Sequence, residues 1–575
     1  MDHTKPTSGM QAVSKSVISG LLLLLLASQA PAAPATAAPK PAPAPAAAPA
    51  AAAPVPVPAL NAEIQQRAAA ASQKPHRFPS RPLDAQKLLP RLYEAGAYSP
   101  LWIGDGLKQA KAALSLLQEA EAHGLARADY QVDAISAQLN GLTPANSAEV
   151  EIALSTAVMQ YLGDLRFGRL KSGFAAQPED ARLVAFDPVE QIKAAIKANG
   201  VAQLSGAAEP PFPLYRRVMT TLGQYRQLAS ANPDWQALPP IKRGKKLVAG
   251  TPYEGAPTLR ARLALFGDLP AGAAPEKDDA YTAELSDALK RFQSRHGLEE
   301  DGTLGPATMK ALAVPPDQRA RQLALTLERL RVLPQLRPGR TIAVNLPSYR
   351  LWAFDSTTKA EPLEMRVIVG TAVKTQTPLF IGQMRYLEFN PYWNVPRSIE
   401  LGEIIPKLAS NPRYLEENDM ELVSRSGGKV ETVGADGALE AIKSARVRVR
   451  QRPGEQNVLG AVKFAMPNSD NIYLHSTSAP QLFSRARRDL SHGCIRVERP
   501  VELAAFVLGD AAQWSQENVE AAMQPGPLKT VKLKEVIPVV LFYATAMSDQ
   551  TGRALFSDDI YKLDPKLELA LQMRK

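Results

Sequence analysis

Asn471-Ile472-Tyr473-Leu474-His475 and, after a spacer of fifteen residues, Ser491-His492-Gly493-Cys494-Ile495-Arg496-Val497 read as two short strands. Side chains alternate across a strand, so Ile472 and Leu474 share one face while Tyr473 and His475 share the other. The same alternation buries Ile495 and Val497 and places Cys494 beside Arg496 on the opposite face. If the strands are neighbours, His475 and Cys494 meet, with the imidazole presented away from the core. Strand-like alternation extends upstream through Ile342, Val344 and Leu346, then Leu351 and Ala353, then Val367 and Val369 up to Gly370. Further strands are predicted at Met384–Phe389, at Val447–Arg450 and at Val536–Ala544, the last paired with Ala554–Phe556 across a turn from Asp549 to Gly552. A polar, partly helical stretch at about 394–446 interrupts this β region and is predicted to cap a site on the sheet.

N-terminal to residue 338 the period is helical. Leu107, Ala110, Leu114 and Leu117, and again Ile152, Ala153, Val158, Tyr161 and Leu162, recur at helical spacing. Residues 60–245 therefore read as a helical scaffold without a cluster of ionisable groups that asks for chemistry. A compact unit follows at 250–315. In it, Leu285, Leu289, Phe292 and Gln293 precede His296-Gly297-Leu298, Asp301-Gly302, Gly305, Thr308 and Leu312. A lone histidine before a glycine turn is expected to cap or pack. The helix at 316–338 returns to the scaffold.

The chain has 575 residues, a net charge of +10, six histidines and one cysteine. One thiol excludes a disulfide framework and a cysteine-rich zinc site, and nothing in the pattern calls for a metal or cofactor. Lys5 and Lys15 precede the apolar run Leu21–Leu26 and then Ala27, Ser28 and Ala30, the order of an export signal. That run falls short of the roughly 20 residues of a membrane span, so residues 1–32 read as a signal peptide or membrane anchor. Residues 33–59, dominated by Ala and Pro, read as a semi-rigid linker. Export makes nucleic acid a poor partner for the positive charge.

The chemistry concentrates around the cysteine. An imidazole or a positive charge beside a thiol raises its thiolate fraction and yields a nucleophile for carbonyl carbon. Arg485, Arg487, Arg488, Arg496 and Arg499 against Asp489 and Glu498 leave three excess positive charges, a field that attracts carboxylates. Gly493 permits a tight turn, and N–H groups around Gly493 and Cys494 are candidates to receive an oxyanion. Ser426-Gly427-Gly428-Lys429 and Ser469-Asp470-Asn471 imitate two serine transpeptidase motifs, but the third is missing, because Lys529-Thr530 is followed by Val531.

The string Ser491–Arg496 at this distance from His475 resembles the signature of the L,D-transpeptidases, and the 250–315 unit resembles a three-helix peptidoglycan-binding domain. Together they resemble the large multidomain Gram-negative type. The resemblance implies a multidomain α+β chain with a helical scaffold, the small binding domain, a β-rich catalytic domain at 339–510 and a 511–575 extension packed upon it. It implies Cys494 as nucleophile, His475 as general base and acid, and the Ser476 carbonyl as orienter of the imidazole. It leaves His492, Gly493 and Arg496 to the oxyanion and substrate. It further implies a periplasmic, cell-wall-associated enzyme, possible inner-membrane attachment, and peptidoglycan stem peptides as donor and acceptor, with glycan or stem bound by the small domain. Cleavage of the bond to the terminal D-Ala through a thioester, then cross-linking of third-position residues, is the implied reaction. Water or a free D-amino acid as acceptor, or a non-catalytic wall-binding scaffold, are the alternatives, and a carbapenem should acylate an activated Cys494.

Overall fold

The computed structural model describes residues 57–75, 81–171, 186–241, 246–270, 280–333, 336–424, 426, 428–430 and 434–573. The expected signal or anchor at 1–32 and nearly all of the 33–59 linker lie outside these residues. The linker's last three positions already belong to a helix, Val57–Ser72. Among the described residues no helix is long and apolar enough to cross a membrane.

The helical region is organised around α1 (Ser147–Phe167), buried on nearly every side, with Leu154, Val158, Tyr161, Leu162 and Leu165 fully enclosed. A helix so placed must satisfy its polar groups internally. Glu151 does so by accepting from the N–H groups of Leu101 (2.6 Å) and Trp102 (3.1 Å) and from the Tyr93 hydroxyl (2.8 Å). Two further helices, α2 (Pro213–Ala231) and α3 (Ala283–Arg295), lead to α4 (Pro316–Arg331). Leu323, Leu327 and Leu330 of α4 pack on Tyr215, Val218 and Leu222 of α2.

Where α4 returns to the scaffold a buried ionisable cluster forms from residues far apart in the chain. Glu328 of α4 accepts from Arg169 Nε at 2.9 Å and from Arg331 Nη1 at 2.9 Å, all three side chains being buried. Burial by itself would raise this carboxyl, yet Arg169 and Arg331 hold it down at about 2.

In the small unit α3 begins at Thr282, whose hydroxyl accepts from the Leu285 N–H at 3.3 Å. The Gln293 side chain accepts from the Gly302 N–H (2.8 Å) and donates to Asp301 (2.9 Å) and to Thr308 (3.2 Å), which ties the helix to the turn and to the helix that follows. His296 packs, stacked between Phe292 and Phe556. Its neighbour Arg295 grips Asp268, which also receives Arg553 at 2.8 Å.

The β region is a mixed sheet made of β1 (Arg340–Asn345), β2 (Arg350–Asp355), β3 (Leu363–Gly370), β4 (Phe380–Phe389), β8 (Val462–Ala465), β9 (Leu474–His475), β10 (Asp489–Ser491), β11 (Ile495–Val497) and β12 (Lys529–Phe542). The order is β10-β3-β11-β9-β8-β4-β12-β1-β2, and β3 also pairs with β2, so the sheet closes on itself. Alternate residues such as Ile342, Val344, Val367, Val369, Leu474, Ile495, Val539 and Leu541 fill its interior. Inserted between β4 and β8 is a subdomain with its own apolar core, including Ile399, Ile404, Leu408, Leu422, Ile442 and Val449. Its small sheet comprises β5 (Trp393–Asn394), β6 (Met420–Val423) and β7 (Arg448–Gln451), in the order β5-β7-β6.

Three expectations change. The strand expected at 447–450 belongs to the inserted subdomain, so the insertion runs to about 451 rather than 446. Residues 536–542 lie within β12 in the main sheet, with 543 and 544 just beyond it; the hairpin instead joins β13 (Ala546–Ser548) to β14 (Ala554–Phe556). Finally, β12 sits between β4 and β1, so the main sheet is incomplete at residue 510, the expected end of the domain.

Replacing Glu328 by Gln leaves Arg169 and Arg331 facing each other across a neutral amide in a buried setting. A loss of about 3 kcal/mol is expected, read by chemical denaturation. Because the folded carboxyl titrates below its unfolded value, this contribution is complete above pH 4.5 and is lost as the pH falls toward 2.

Candidate active site

The two motif strands are adjacent and parallel. His475 of β9 is in register with Arg496 of β11, and Leu474 with Ile495. Cys494 precedes β11 and so lies opposite Tyr473, whose carbonyl accepts from the Ile495 N–H at 3.1 Å. The expected juxtaposition of His475 and Cys494 is therefore diagonal, through neighbouring register positions. His475 faces away from the apolar interior, as its alternation predicts, but it is not exposed: only 4% of it is accessible, and Ser476 is at 5%.

Burial is the largest influence on that imidazole, followed by the Arg496 charge, and together they lower it to about 3 despite the Ser476 and Leu459 carbonyls nearby. Nδ1 is buried without a hydrogen-bond partner among the described residues. Ser476 is fixed by other bonds: its N–H donates to the Val462 carbonyl (2.9 Å), and its hydroxyl donates to the Leu459 carbonyl at 3.0 Å.

Cys494 is half-buried, with Sγ 3.6 Å from the Asn471 carbonyl. Burial raises the thiol above its ordinary value. The Tyr473 N–H and hydroxyl, and the charges of Lys463 and Arg496, pull it back. At neutral pH both partners are therefore uncharged: a thiol and an imidazole. The Tyr473 hydroxyl lies between the thiol and the Trp393 indole, which gives Trp393 a place beside the site from within the insertion. Lys463 Nζ sits 4.8 Å over the Tyr473 ring and pairs with Glu388 at 2.8 Å. Arg496 is partly buried, its Nε without a partner among the described residues.

The turn carrying the cysteine is tied down residue by residue. The Ser491 hydroxyl donates to the Cys494 carbonyl (2.5 Å) and accepts from the Gly493 N–H (3.1 Å). The Gly493 N–H is thus engaged inside the turn, which removes it from the two oxyanion donors expected. For the Cys494 N–H no acceptor is found among the described residues. Gly493 has φ +116°, a left-handed conformation that a side chain rarely adopts. Its carbonyl accepts from the Thr377 hydroxyl (2.7 Å), which itself accepts from the Gly370 N–H (2.9 Å). Tyr561, from the C-terminal extension, donates its hydroxyl to the Gly370 carbonyl (2.7 Å) and accepts from the Thr377 N–H (3.1 Å). A Cβ on Gly370 would stand 1.9 Å from the Thr375 carbonyl and 3.0 Å from Gly493 Cα, so only glycine fits there.

His492 is directed elsewhere. Its Nε2 is 2.5 Å from Glu403 Oε1 of the insertion, with both side chains substantially exposed. Glu403, Tyr473, Lys463, Thr377 and Tyr561 escaped the sequence reading as site residues, because their chain separations give no local signal; alternation alone put Tyr473 on the correct face. Ser426 and Lys529 of the imitating motifs are dispersed, Ser426 bonded to Ser424 in the insertion and Lys529 over the Trp514 ring in β12.

Tyr561→Phe strands the buried Gly370 carbonyl and Thr377 N–H together, and a loss of about 1–3 kcal/mol is expected by urea denaturation.

Comparison with known proteins follows the same outline. Residues 339–532 match the family model described as "L,D-transpeptidase catalytic domain", residues 87–222 match "Scaffold domain" and residues 254–312 match "Putative peptidoglycan binding domain". A Haemophilus influenzae protein named "Putative L,D-transpeptidase" is 35% identical over 250 residues, 43% of this chain and 49% of that relative, so the match spans about half of the relative's length. A crystal structure of an L,D-transpeptidase from Stackebrandtia nassauensis is 14% identical with a TM-score of 0.21, covering 52% of this chain and 94% of that one. One from Xylanimonas cellulosilytica is 16% identical with a TM-score of 0.15, covering 53% and 100%. Likeness at those TM-scores has no bearing on the fold. On the family matches, this multidomain chain carries a β-rich L,D-transpeptidase catalytic domain together with a peptidoglycan-binding domain.

Proposed function

We propose that the chain is a cysteine-dependent L,D-transpeptidase of the cell wall, with Cys494 as nucleophile and His475 as the base and acid that serves it. The observation that carries this reading is the placement of a half-buried thiol, held in a turn braced by Ser491 and Thr377, at the start of the strand next to an enclosed histidine with an unpaired ring nitrogen. An uncharged thiol and an uncharged imidazole suit proton transfer concerted with attack, since neither must give up a settled charge first.

In the first half-reaction the Cys494 sulfur attacks the carbonyl of the third-position diamino acid in a tetrapeptide stem. Its proton passes through His475 to the departing amine of D-Ala, and a thioester remains. In the second, a side-chain amine of another stem displaces the sulfur, joining two third-position residues and restoring the thiol. The free Cys494 N–H is the candidate oxyanion donor, while Arg496 and Lys463 supply positive charge for a substrate carboxylate. The Ser476 carbonyl is proposed to steady the imidazole. The small domain is proposed to hold peptidoglycan near the site, and the N-terminal segment to export the chain to the periplasm or to anchor it at the inner membrane.

Mass spectrometry of the full chain incubated with a disaccharide-tetrapeptide tests this. A cross-linked dimer short of one D-Ala is expected, and none with Cys494→Ala. Release of D-Ala without dimer would make the enzyme a carboxypeptidase, exchange of the terminal residue a D-amino acid exchanger, and no change in any product a wall-binding scaffold. His475→Ala is expected to slow acylation of Cys494 by about a hundredfold or more.

The thiol's raised position has its own signature. Alkylation of Cys494 by iodoacetamide should be slow at neutral pH and should climb only as the pH passes the ordinary thiol range. A plateau already reached at neutral pH would show a standing thiolate and contradict the concerted step.

A further inference from the structure

The pair formed by His492 and Glu403 has no part in the donor half-reaction above, yet it sits two residues from the nucleophile. Glu403 is brought there by a π-helical turn, Glu400–Ile404, a distortion of helix geometry often found at functional sites. That turn is anchored from inside. Glu400, buried, accepts from the Val449 N–H at 2.7 Å and from Arg397 at 3.0 Å, whereas Glu403 faces outward. Glu403 Oε1 meets His492 Nε2 at 2.5 Å, and Lys407 lies 3.6 Å from its other oxygen.

The chemistry of that contact sets the tautomer. A carboxylate only accepts, so Nε2 carries the hydrogen, and in the neutral imidazole the lone pair is then on Nδ1. No hydrogen bond to Nδ1 is found among the described residues, and the His492 side chain is 47% exposed against 4% for His475 as a whole. A carboxylate behind an imidazole stabilises the imidazolium that forms when the far nitrogen takes a proton. The second substrate of the reaction needs such a base. A side-chain amine is an ammonium at neutral pH, since its pKa is near about 10, and it cannot attack a thioester until it loses a proton.

We propose that His492 and Glu403 are the acceptor-activating pair: His492 Nδ1 takes a proton from the ammonium of the incoming stem, and Glu403 holds the imidazole in the tautomer that can do so. The inference rests on the acyl-enzyme reading. The protons balance. Of the three on the ammonium, one goes to His492 and then to water, one stays on the new amide nitrogen, and one returns to the sulfur as the C–S bond breaks and the C–N bond forms. His475 and His492 thereby divide the reaction, one enclosed for donor and thiol, one open to solvent for the acceptor. Glu403 acts through His492 and is a positioning residue.

The test uses the full chain and follows three products in the parent, Glu403→Gln and His492→Asn: the acyl-enzyme on Cys494, the dimer made with a stem acceptor, and the hydroxamate made with hydroxylamine. Hydroxylamine is uncharged at neutral pH and needs no base to free its lone pair, and its capture also reports that the catalytic domain is folded. In both variants dimer formation should fall about 100-fold further than either acyl-enzyme or hydroxamate formation. A parallel fall of dimer and hydroxamate would show that the pair merely holds the insertion in place and would overturn the proposal, as would an unaltered dimer rate. Absence of an acyl-enzyme in the parent would instead remove the reading on which the proposal rests, and the proposal with it.

Discussion

The site depends on one close approach, that of the end of β3 to the turn before Cys494. Gly370 and Gly493 come so near that a methyl group on the first would press on the α-carbon of the second. Two backbones can be held at that distance only if their carbonyl and N–H groups have partners close by. Thr377 supplies one set and Tyr561 the other, so the position of the sulfur is determined by a hydrogen-bond chain running through the start of the catalytic region and its far C-terminal extension. A flexible turn would let the thiol wander by an ångström, which is enough to spoil alignment with a reacting carbonyl.

The electrostatics follow from the same enclosure. Sheet and turn enclose His475 and cover part of Cys494, and burial then favours the uncharged form of each. Lys463 and Arg496 act against this at the sulfur and with it at the imidazole. The result is a resting site in which thiol and imidazole do not form a standing ion pair. The insertion adds an acidic contact to the motif, through Glu403 and His492.

Much of this was legible in the sequence. Alternation placed Ile472, Leu474, Ile495 and Val497 inward and Tyr473 and His475 outward, and the residue string around Cys494 pointed to the chemistry. Alternation reports only which face a side chain occupies, however, and not what covers that face, which is why His475 was expected to be presented and is instead enclosed. A hydrogen-bond donor near a candidate oxyanion position looks available in sequence whether or not a neighbour has claimed it; Ser491 had claimed that of Gly493. The misplacement of 536–544 has a similar cause. A run of alternating apolar residues beside a turn reads as a local hairpin, and nothing local announces a partner strand far back in the chain. Likewise Arg169, Glu328 and Arg331 look like ordinary surface charges until α4 returns to the scaffold.

The position of β12 bears on how the molecule comes into being. Asn345, at the end of β1, and Ala544, just beyond β12, are 199 positions apart and bonded side chain to backbone. Contacts of such separation form late, because the intervening loop must be closed before they return any stabilisation. During vectorial synthesis the helical scaffold can collapse on local contacts while the catalytic sheet still lacks a strand between β4 and β1. The turn around Cys494 waits longer still, since its brace at Tyr561 comes later in the chain. The order of the polypeptide thus works as a timer, withholding a braced thiol until the body that will carry it has already been assembled.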